Sequence, residues 1–353
     1  MATDGRVQSE VVEANGQQLH VVSAGEGPLV LLLHGFPETW YSWRHQLPAL
    51  ADAGYRAVAF DMRGYGGSSK PGRVEDYAIT DLVADGKALV RALGAPRAAV
   101  VGHDWGAPIA WTAAWTEPDV FHAVAALSVP FAGRGITALP GDPFGERRPG
   151  ETYRELSGPD RVFYQEYFSI PGAMEEEAAK DVRAFLASIF YSLSASPPLP
   201  DALAGADLSA LPDEVLRAVV GGAMCFDRTA GLASVLAAPP SLPDWLSAED
   251  LDHYAQAFAS GGLTGPLSYY RNIERDWELL EPYAGRTLDG PSLFIGGDRD
   301  IVTIWSREAR ERAPELRTDM RDDVILSGCG HWVQQERPAE TNVALIDFLD
   351  GVG

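Results

Sequence analysis

Cysteine is nearly absent from this 353-residue chain, with Cys225 and Cys329 the only two. A disulfide framework is excluded, and a reducing compartment fits. Lysine is almost as scarce, at positions 70, 87 and 180 only, so the basic side chains are nearly all arginine. That bias reads as genome composition rather than function. Long apolar runs are missing too. The longest candidates, 29–33 and 124–129, are strand-sized, far short of the roughly 20 residues needed to cross a bilayer. Met1 to Val12 is polar, carries Asp4, Arg6 and Glu10, and does not read as a secretory signal. No H-x-x-x-H pair and no paired cysteines offer metal-ligand spacing. Positive charge is in deficit, 28 Lys+Arg against 50 Asp+Glu, for a formal net charge of −22. Such a surface repels nucleic acid and anionic membranes. These absences predict a cytoplasmic protein, monomer or homodimer, that acts on a neutral or weakly charged small molecule with no metal and no cofactor.

What is present is an alternation of strand and helix. Residues 9–24 read as a hairpin about Asn15-Gly16. Strands are expected at 29–33, 57–60, 97–101 and 123–128. Helices are expected at 79–93, closed by Gly94, and at 107–115. This is the pattern of a mostly parallel α/β sheet covered on both faces. After Pro130 it changes. Residues 133–160 read as Gly/Pro/Arg-rich loop, and 161–168 and 173–193 as helices. Stretches 195–213 and 237–246 are rich in Pro, Ala and Ser. Ser247 and Asp250 form a capping box before a helix at 248–259, with another helix at 267–280. Strand character returns at 292–296 and 319–326, and an amphipathic helix closes the chain at 339–349. The organisation inferred is a core from 1–132, an all-helical insertion over 133–285, and the rest of the core from 286–353.

The strongest local signal is Gly102-His103-Asp104-Trp105-Gly106, between an apolar strand and an Ala- and Trp-rich helix. Small residues on either side let the chain turn sharply and expose the central side chain. That position commonly holds Ser, in G-x-S-x-G, and the chain has no such motif. A carboxylate there is ionised at neutral pH and needs no base to attack an alkyl carbon, leaving an alkyl ester. In open α/β sheets the site lies beyond the carboxyl ends of the strands. The loop after Leu33 brings the Phe36 N–H, which with the Trp105 N–H forms an oxyanion hole. Asp298-Arg299-Asp300 follows one later strand, and Gly330-His331-Trp332 the other. Nucleophile, acid, histidine is a known chain order for hydrolases. His331 is then the general base, with Asp298 or Asp300 holding its tautomer. His34 and His103 read as loop hydrogen-bonders, and Cys329 as a small buried hydrophobe. Gly64-Tyr65-Gly66-Gly67 lacks G-x-G-x-x-G spacing and runs into Pro71-Gly72, so a dinucleotide loop is rejected.

Together, His34-Gly35-Phe36-Pro37, Asp61-Met62-Arg63-Gly64-Tyr65-Gly66, the Asp104 pentapeptide and Gly330-His331-Trp332 resemble the α/β-hydrolase-fold epoxide hydrolases over nearly the whole chain. The resemblance implies that fold with an inserted helical cap, and no N-terminal phosphatase-like domain. It favours Asp300 over Asp298 as the acid. Phe163-Tyr164-Gln165-Glu166-Tyr167-Phe168 and Tyr270-Arg271-Asn272-Ile273-Glu274-Arg275 are similar to the family's two cap tyrosine segments. That similarity assigns the functional phenols to Tyr164 and Tyr270 and leaves Tyr167 and Tyr269 as packing. The implied reaction converts an apolar or aromatic small-molecule epoxide to a vicinal diol. The two phenols would bind the ring oxygen as alkoxide charge develops. Trp105, Phe163 and Trp332 are expected to line the pocket.

Three rivals share the fold. A dehalogenase also uses an elbow Asp, and the Trp105 indole suits a halide, but Phe36 has no side-chain donor and the paired tyrosines have no halide role. A serine esterase conflicts with Asp104. A silent binding protein would be expected to have lost a triad member.

Overall fold

The computed structural model describes residues 7–199, 206 and 208–352. Its strands are β1 (Val7–Ala14), β2 (Gln17–Ala24), β3 (Leu29–Leu33), β4 (Arg56–Phe60), β5 (Ala98–His103), β6 (Phe121–Leu127), β7 (Val162–Phe163), β8 (Cys225–Phe226), β9 (Ser292–Gly297) and β10 (Met320–Leu326). Eight of them form one sheet in the order β1-β2-β4-β3-β5-β6-β9-β10. From β4 to β10 all neighbours are parallel; β1–β2 and β2–β4 are antiparallel. The leading hairpin turns on Asn15 and Gly16, both at positive φ (51° and 70°), as a two-residue primed turn requires.

The central strands are largely apolar because both faces are covered. Leu29 to Leu33 and Ala98 to His103 are buried without exception. One face packs under the helices Ile79–Ala92 and Gly106–Thr116, the other under Gln46–Asp52 and Pro338–Asp350. Strand order reverses between β3 and β5, so the loops leaving them part above the sheet and open a crevice. The residues after Leu33 and after His103 meet there.

The chain between β6 and β9 lies over that crevice and corrects the all-helical expectation. β7 pairs antiparallel with β8, joining Phe163 to Cys225. Residues 161–168 are therefore a strand end followed by the helix Tyr164–Ser169. Part of the predicted loop 133–160 is the helix Pro149–Ser157, opened by Pro149 and closed at Gly158 with φ 70°. The helix predicted over 173–193 is two, Ala173–Ala178 and Val182–Leu193, the second capped by Asp181 on the Ala184 N–H at 2.9 Å. The stretch at 267–280 breaks at Asn272 between Thr264–Arg271 and Ile273–Leu279. Asp213–Met224 is a further helix that no periodicity announced. The Ser247–Asp250 capping box is present at the start of Ala248–Gly261. Met1–Arg6 and, in the Pro-rich stretch, residues 200–205 and 207 lie outside the described residues.

Buried polar contacts fasten this helical layer to the core. The Tyr41 hydroxyl donates to Asp250 at 2.8 Å, Tyr254 to Gln335 at 3.0 Å, and Tyr269 to the Arg63 carbonyl at 2.9 Å. Asp276 accepts the Ile79 N–H at 2.9 Å, at the start of a core helix. Among the described residues no helix is long and apolar enough to cross a membrane.

Candidate active site

Asp104 follows β5 at φ 48°, in the left-handed region, so the elbow is strained as a sharp strand-to-helix turn demands. A side chain on Gly102 or Gly106 would run into the Gly106 or Leu33 carbonyl, and one on Gly35 into Asp104 itself. The carboxylate opens to the cavity, and its Oδ1 accepts the Phe36 N–H at 2.7 Å. Trp105, the second expected oxyanion donor, directly follows it as the N-cap of Gly106–Thr116. On the other side, His331 Nε2 lies 3.3 Å from Asp104 Oδ2. Burial pushes the Asp104 carboxyl up. The His331 hydrogen bond and charge, the His103 charge and the Phe36 N–H outweigh that and hold it below the usual carboxylate range. Asp104 is therefore an anion at neutral pH.

His331 Nδ1 donates to Asp300 Oδ1 at 3.0 Å, and Asp300 is itself fixed by the Val302 N–H and the Thr303 hydroxyl, both at 2.9 Å. Burial favours the neutral ring. The Asp300 charge and the hydrogen bonds to Asp104 and Asp300 overcome it and push His331 up to about 10. Asp298 has another task. Its Oδ1 accepts the Gly328 N–H at 2.7 Å and the Cys329 N–H at 3.4 Å, so it anchors the loop that carries the histidine. Cys329 is fully buried, and burial pushes its thiol up.

Sequence reasoning missed Glu38. Its carboxylate, wholly buried, accepts the Gly35 N–H at 3.0 Å and the amides of Gln334 and Gln335 at 3.0 and 2.9 Å. It meets His103 Nδ1 at 2.7 Å, while His103 Nε2 donates to the His331 carbonyl at 2.8 Å. Glu38 and His103 thus tie the three loops of the site together. The only available signal was an acid placed next to His34-Gly35-Phe36-Pro37, where periodicity says nothing. His34 bonds within its loop, its Nδ1 donating to the Gly35 carbonyl at 2.9 Å and its Nε2 accepting the Met62 N–H at 3.1 Å.

Above Asp104 lies a cavity of about 740 Å³ whose wall includes Asp104, His331, Phe36, Tyr164, Tyr270 and Trp305. The four tyrosines separate cleanly. Tyr164 and Tyr270 line the cavity with ring centres 6.4 Å apart. Tyr167 donates its hydroxyl to Glu177 at 2.9 Å, and Tyr269 to the Arg63 carbonyl. Burial, with the Asp104 charge, pushes both Tyr164 and Tyr270 well above the usual phenol range, so each keeps its proton.

The three other expected lining residues stand behind the wall. Phe163 is fully buried as a strand residue, stacked on Tyr153 at 5.1 Å, and Phe168 lines the cavity instead. Trp332 is also fully buried. Its indole donates to the Phe190 carbonyl at 2.9 Å and pins the histidine loop to Val182–Leu193. Trp105 sits edge-on behind Tyr270 at 5.1 Å. Most of the rest of the wall is aliphatic, from residues such as Ile189, Leu211, Val219, Met224 and Leu236, with Ser192, Ser194 and Arg299 also on it.

An elbow carboxylate at the switch point of a parallel sheet, beside a histidine clamped by a second carboxylate, defines an α/β hydrolase. The profile of the α/β hydrolase fold matches residues 28–338. The chain is 46% identical over 351 residues to Epoxide hydrolase B of Mycobacterium tuberculosis, which covers 97% of this chain and 98% of that protein. An epoxide hydrolase structure from an endophytic Streptomyces superposes with a TM-score of 0.87 at 45% identity, covering 99% of this chain and 96% of that one. Bifunctional epoxide hydrolase 2 of Rattus norvegicus is 34% identical over 95% of this chain, which spans 54% of that protein. The chain belongs to the epoxide hydrolases of the α/β-hydrolase fold.

Proposed function

We propose that the protein opens an apolar or aromatic epoxide to a vicinal diol through an ester on Asp104. One observation carries the reading. Two proton-bearing phenols, Tyr164 and Tyr270, line the same cavity as an anionic carboxylate on the elbow. Asp104 attacks a ring carbon, the carbon–oxygen bond breaks, and the phenols hydrogen-bond and protonate the departing oxygen. Esterification removes the Asp104 charge, and with it part of what keeps His331 protonated. The ring then drops toward the neutral form and takes a proton from water. That water attacks the Asp104 carbonyl, the Phe36 and Trp105 N–H groups hold the tetrahedral oxyanion, and its collapse breaks the bond from the carbonyl carbon to the diol oxygen, which leaves with the proton that His331 returns. The Phe36 donor is already on the oxygen that becomes this oxyanion.

The aliphatic wall supports a substrate with a sizeable apolar body. On this reading residues 133–285 are the cap, and 1–132 with 286–353 the catalytic core. The two buried, unpaired cysteines fit a cytoplasmic site of action. Dehalogenation draws less support, because the Trp105 indole that would face a halide packs edge-on against Tyr270 and does not line the cavity. Single turnover in oxygen-18 water tests the mechanism. Hydrolysis at the ester carbonyl puts label into the Asp104 carboxylate. Label confined to the first diol would mean that water attacks the epoxide directly.

A further inference from the structure

One of the two cavity phenols, Tyr164, accepts a hydrogen bond from a buried side chain behind it: Gln165 Nε2 donates to the phenol oxygen at 3.0 Å. Gln165 is only 2% exposed and is gripped from its other end. The Tyr153 hydroxyl donates to its Oε1 at 2.6 Å, and the Thr137 hydroxyl lies 3.5 Å from the same atom. Among the described residues that amide oxygen is the one acceptor for the buried Tyr153 hydroxyl. The oxygen end of the amide is therefore turned toward Tyr153 and the N–H end toward Tyr164. An amide N–H cannot accept, so the Tyr164 proton has to point elsewhere, and the open side of the phenol is the cavity shared with Asp104.

We infer that Gln165, oriented by Tyr153, is a positioning residue for ring opening: its N–H turns the Tyr164 proton toward the epoxide oxygen and stabilises the phenolate left behind. The inference rests on the reading of Tyr164 as a proton donor. As the bond from Asp104 to carbon forms, the ring carbon–oxygen bond breaks. The Tyr164 proton moves to that oxygen, and the phenolate accepts the Gln165 N–H. The second proton of the water consumed in ester hydrolysis restores the phenol. Hydrogen bonding from Gln165 already acts against burial, in the direction of an easier proton release.

The experiment measures alkylation and ester hydrolysis separately by stopped flow in Tyr164→Phe, Gln165→Leu, Gln165→Glu and the Tyr164→Phe/Gln165→Leu double variant. Gln165→Leu should slow alkylation about tenfold, the order of one buried hydrogen bond, with hydrolysis unchanged. In the Tyr164→Phe background the same change should cost nothing further, which a purely structural role would not produce. Gln165→Glu keeps the shape but replaces the donor with an acceptor. Its alkylation should fall as pH rises through the new carboxyl's titration, where wild type is flat, and this variant carries the test if the Leu variant fails to fold. Equal losses with and without the Tyr164 hydroxyl would overturn the inference. So would a slow Tyr164→Phe enzyme alongside Gln165 variants of wild-type speed, and there the proton-donor reading would stand. A Tyr164→Phe enzyme of wild-type speed would overturn both.

Discussion

Replacing His331 by Gln should stop the reaction halfway. In the resting enzyme His331 Nε2 sits 3.3 Å from Asp104 Oδ2, and its hydrogen bond and charge are the largest influences that keep the carboxyl ionised against burial. The Phe36 N–H and the His103 charge remain in the variant, so Asp104 stays a usable nucleophile and alkylation slows modestly. Hydrolysis of the ester loses its base, and general-base catalysis contributes roughly 10²–10⁴-fold. Ester should therefore accumulate. Intact-protein mass spectrometry after mixing with a styrene oxide-type substrate should show a gain of one substrate mass, mapped to the Asp104 peptide. Fluorescence of the nearby Trp105 and Trp332 should show the first phase without the second. In wild type the hydrolysis phase should speed up as pH rises through the His331 titration of the ester form. That titration lies below about 10, because the Asp104 charge that helps hold the resting ring there is gone. An unaltered steady-state rate with no adduct would remove His331 from the mechanism.

Two further outcomes follow from the same geometry. Tyr164→Phe and Tyr270→Phe should each slow alkylation by the ~10²–10³-fold typical of losing one oxyanion donor, with the double variant far worse and ester hydrolysis little changed; a double variant of wild-type speed would make the phenols packing residues. Asp276 tests the attachment of the helical layer: burial outweighs its one N–H donor and pushes its carboxyl up to about 8. A carboxyl that holds its proton more tightly folded than unfolded adds stability below its unfolded pKa of about 4, lost as pH rises through the folded value. Calorimetry should therefore show wild type losing Tm relative to Asp276→Asn between about pH 4 and pH 8, and a relative gain over that window would refute the assignment.

The core was readable because burial on both faces leaves an unbroken apolar signature, as in Leu29–Leu33, and because its loops carry Gly where the backbone must approach closely. Asp104 announced itself through such glycines. The helical layer hid more. Pro149–Ser157 had a Pro at its start and a Gly at its end, but its buried face of Thr152, Tyr153 and Ser157 is mostly polar and gives no apolar stripe beside its Arg and Glu residues. The β7–β8 pair is two residues long, below any periodicity. Phe163 misled for a related reason: it ends β7 while Tyr164 opens the following helix, and Phe163 is buried against Tyr153 behind the cavity wall. Choosing Tyr164 and Tyr270 over Tyr167 and Tyr269 needed family resemblance, since all four are aromatics on short helices and only tertiary partners distinguish them. Glu38 gave no sign beyond its place after His34-Gly35-Phe36-Pro37 and Gln165 none, because a buried polar group is recognised by its partners, and those lie far along the chain or turn on a single side-chain rotation.

Much of the aliphatic wall of the cavity is mechanically separate from the reacting groups. The side chains of Asp104 and His331 take their hydrogen bonds from core loops and from each other, and only the His331 backbone reaches the helical layer, at the Leu193 carbonyl. Leu211, Val219, Met224 and Leu236 come from a different stretch of chain and meet the site only by filling space. Volume-conserving exchanges among such residues are the kind a protein tolerates best. For an engineer this means that the choice of which face of an epoxide is presented to Asp104 can be rewritten on the wall alone. The turn from Gly297 to Asp300, where one carboxylate holds the histidine ring and its neighbour holds the histidine loop, has no such freedom.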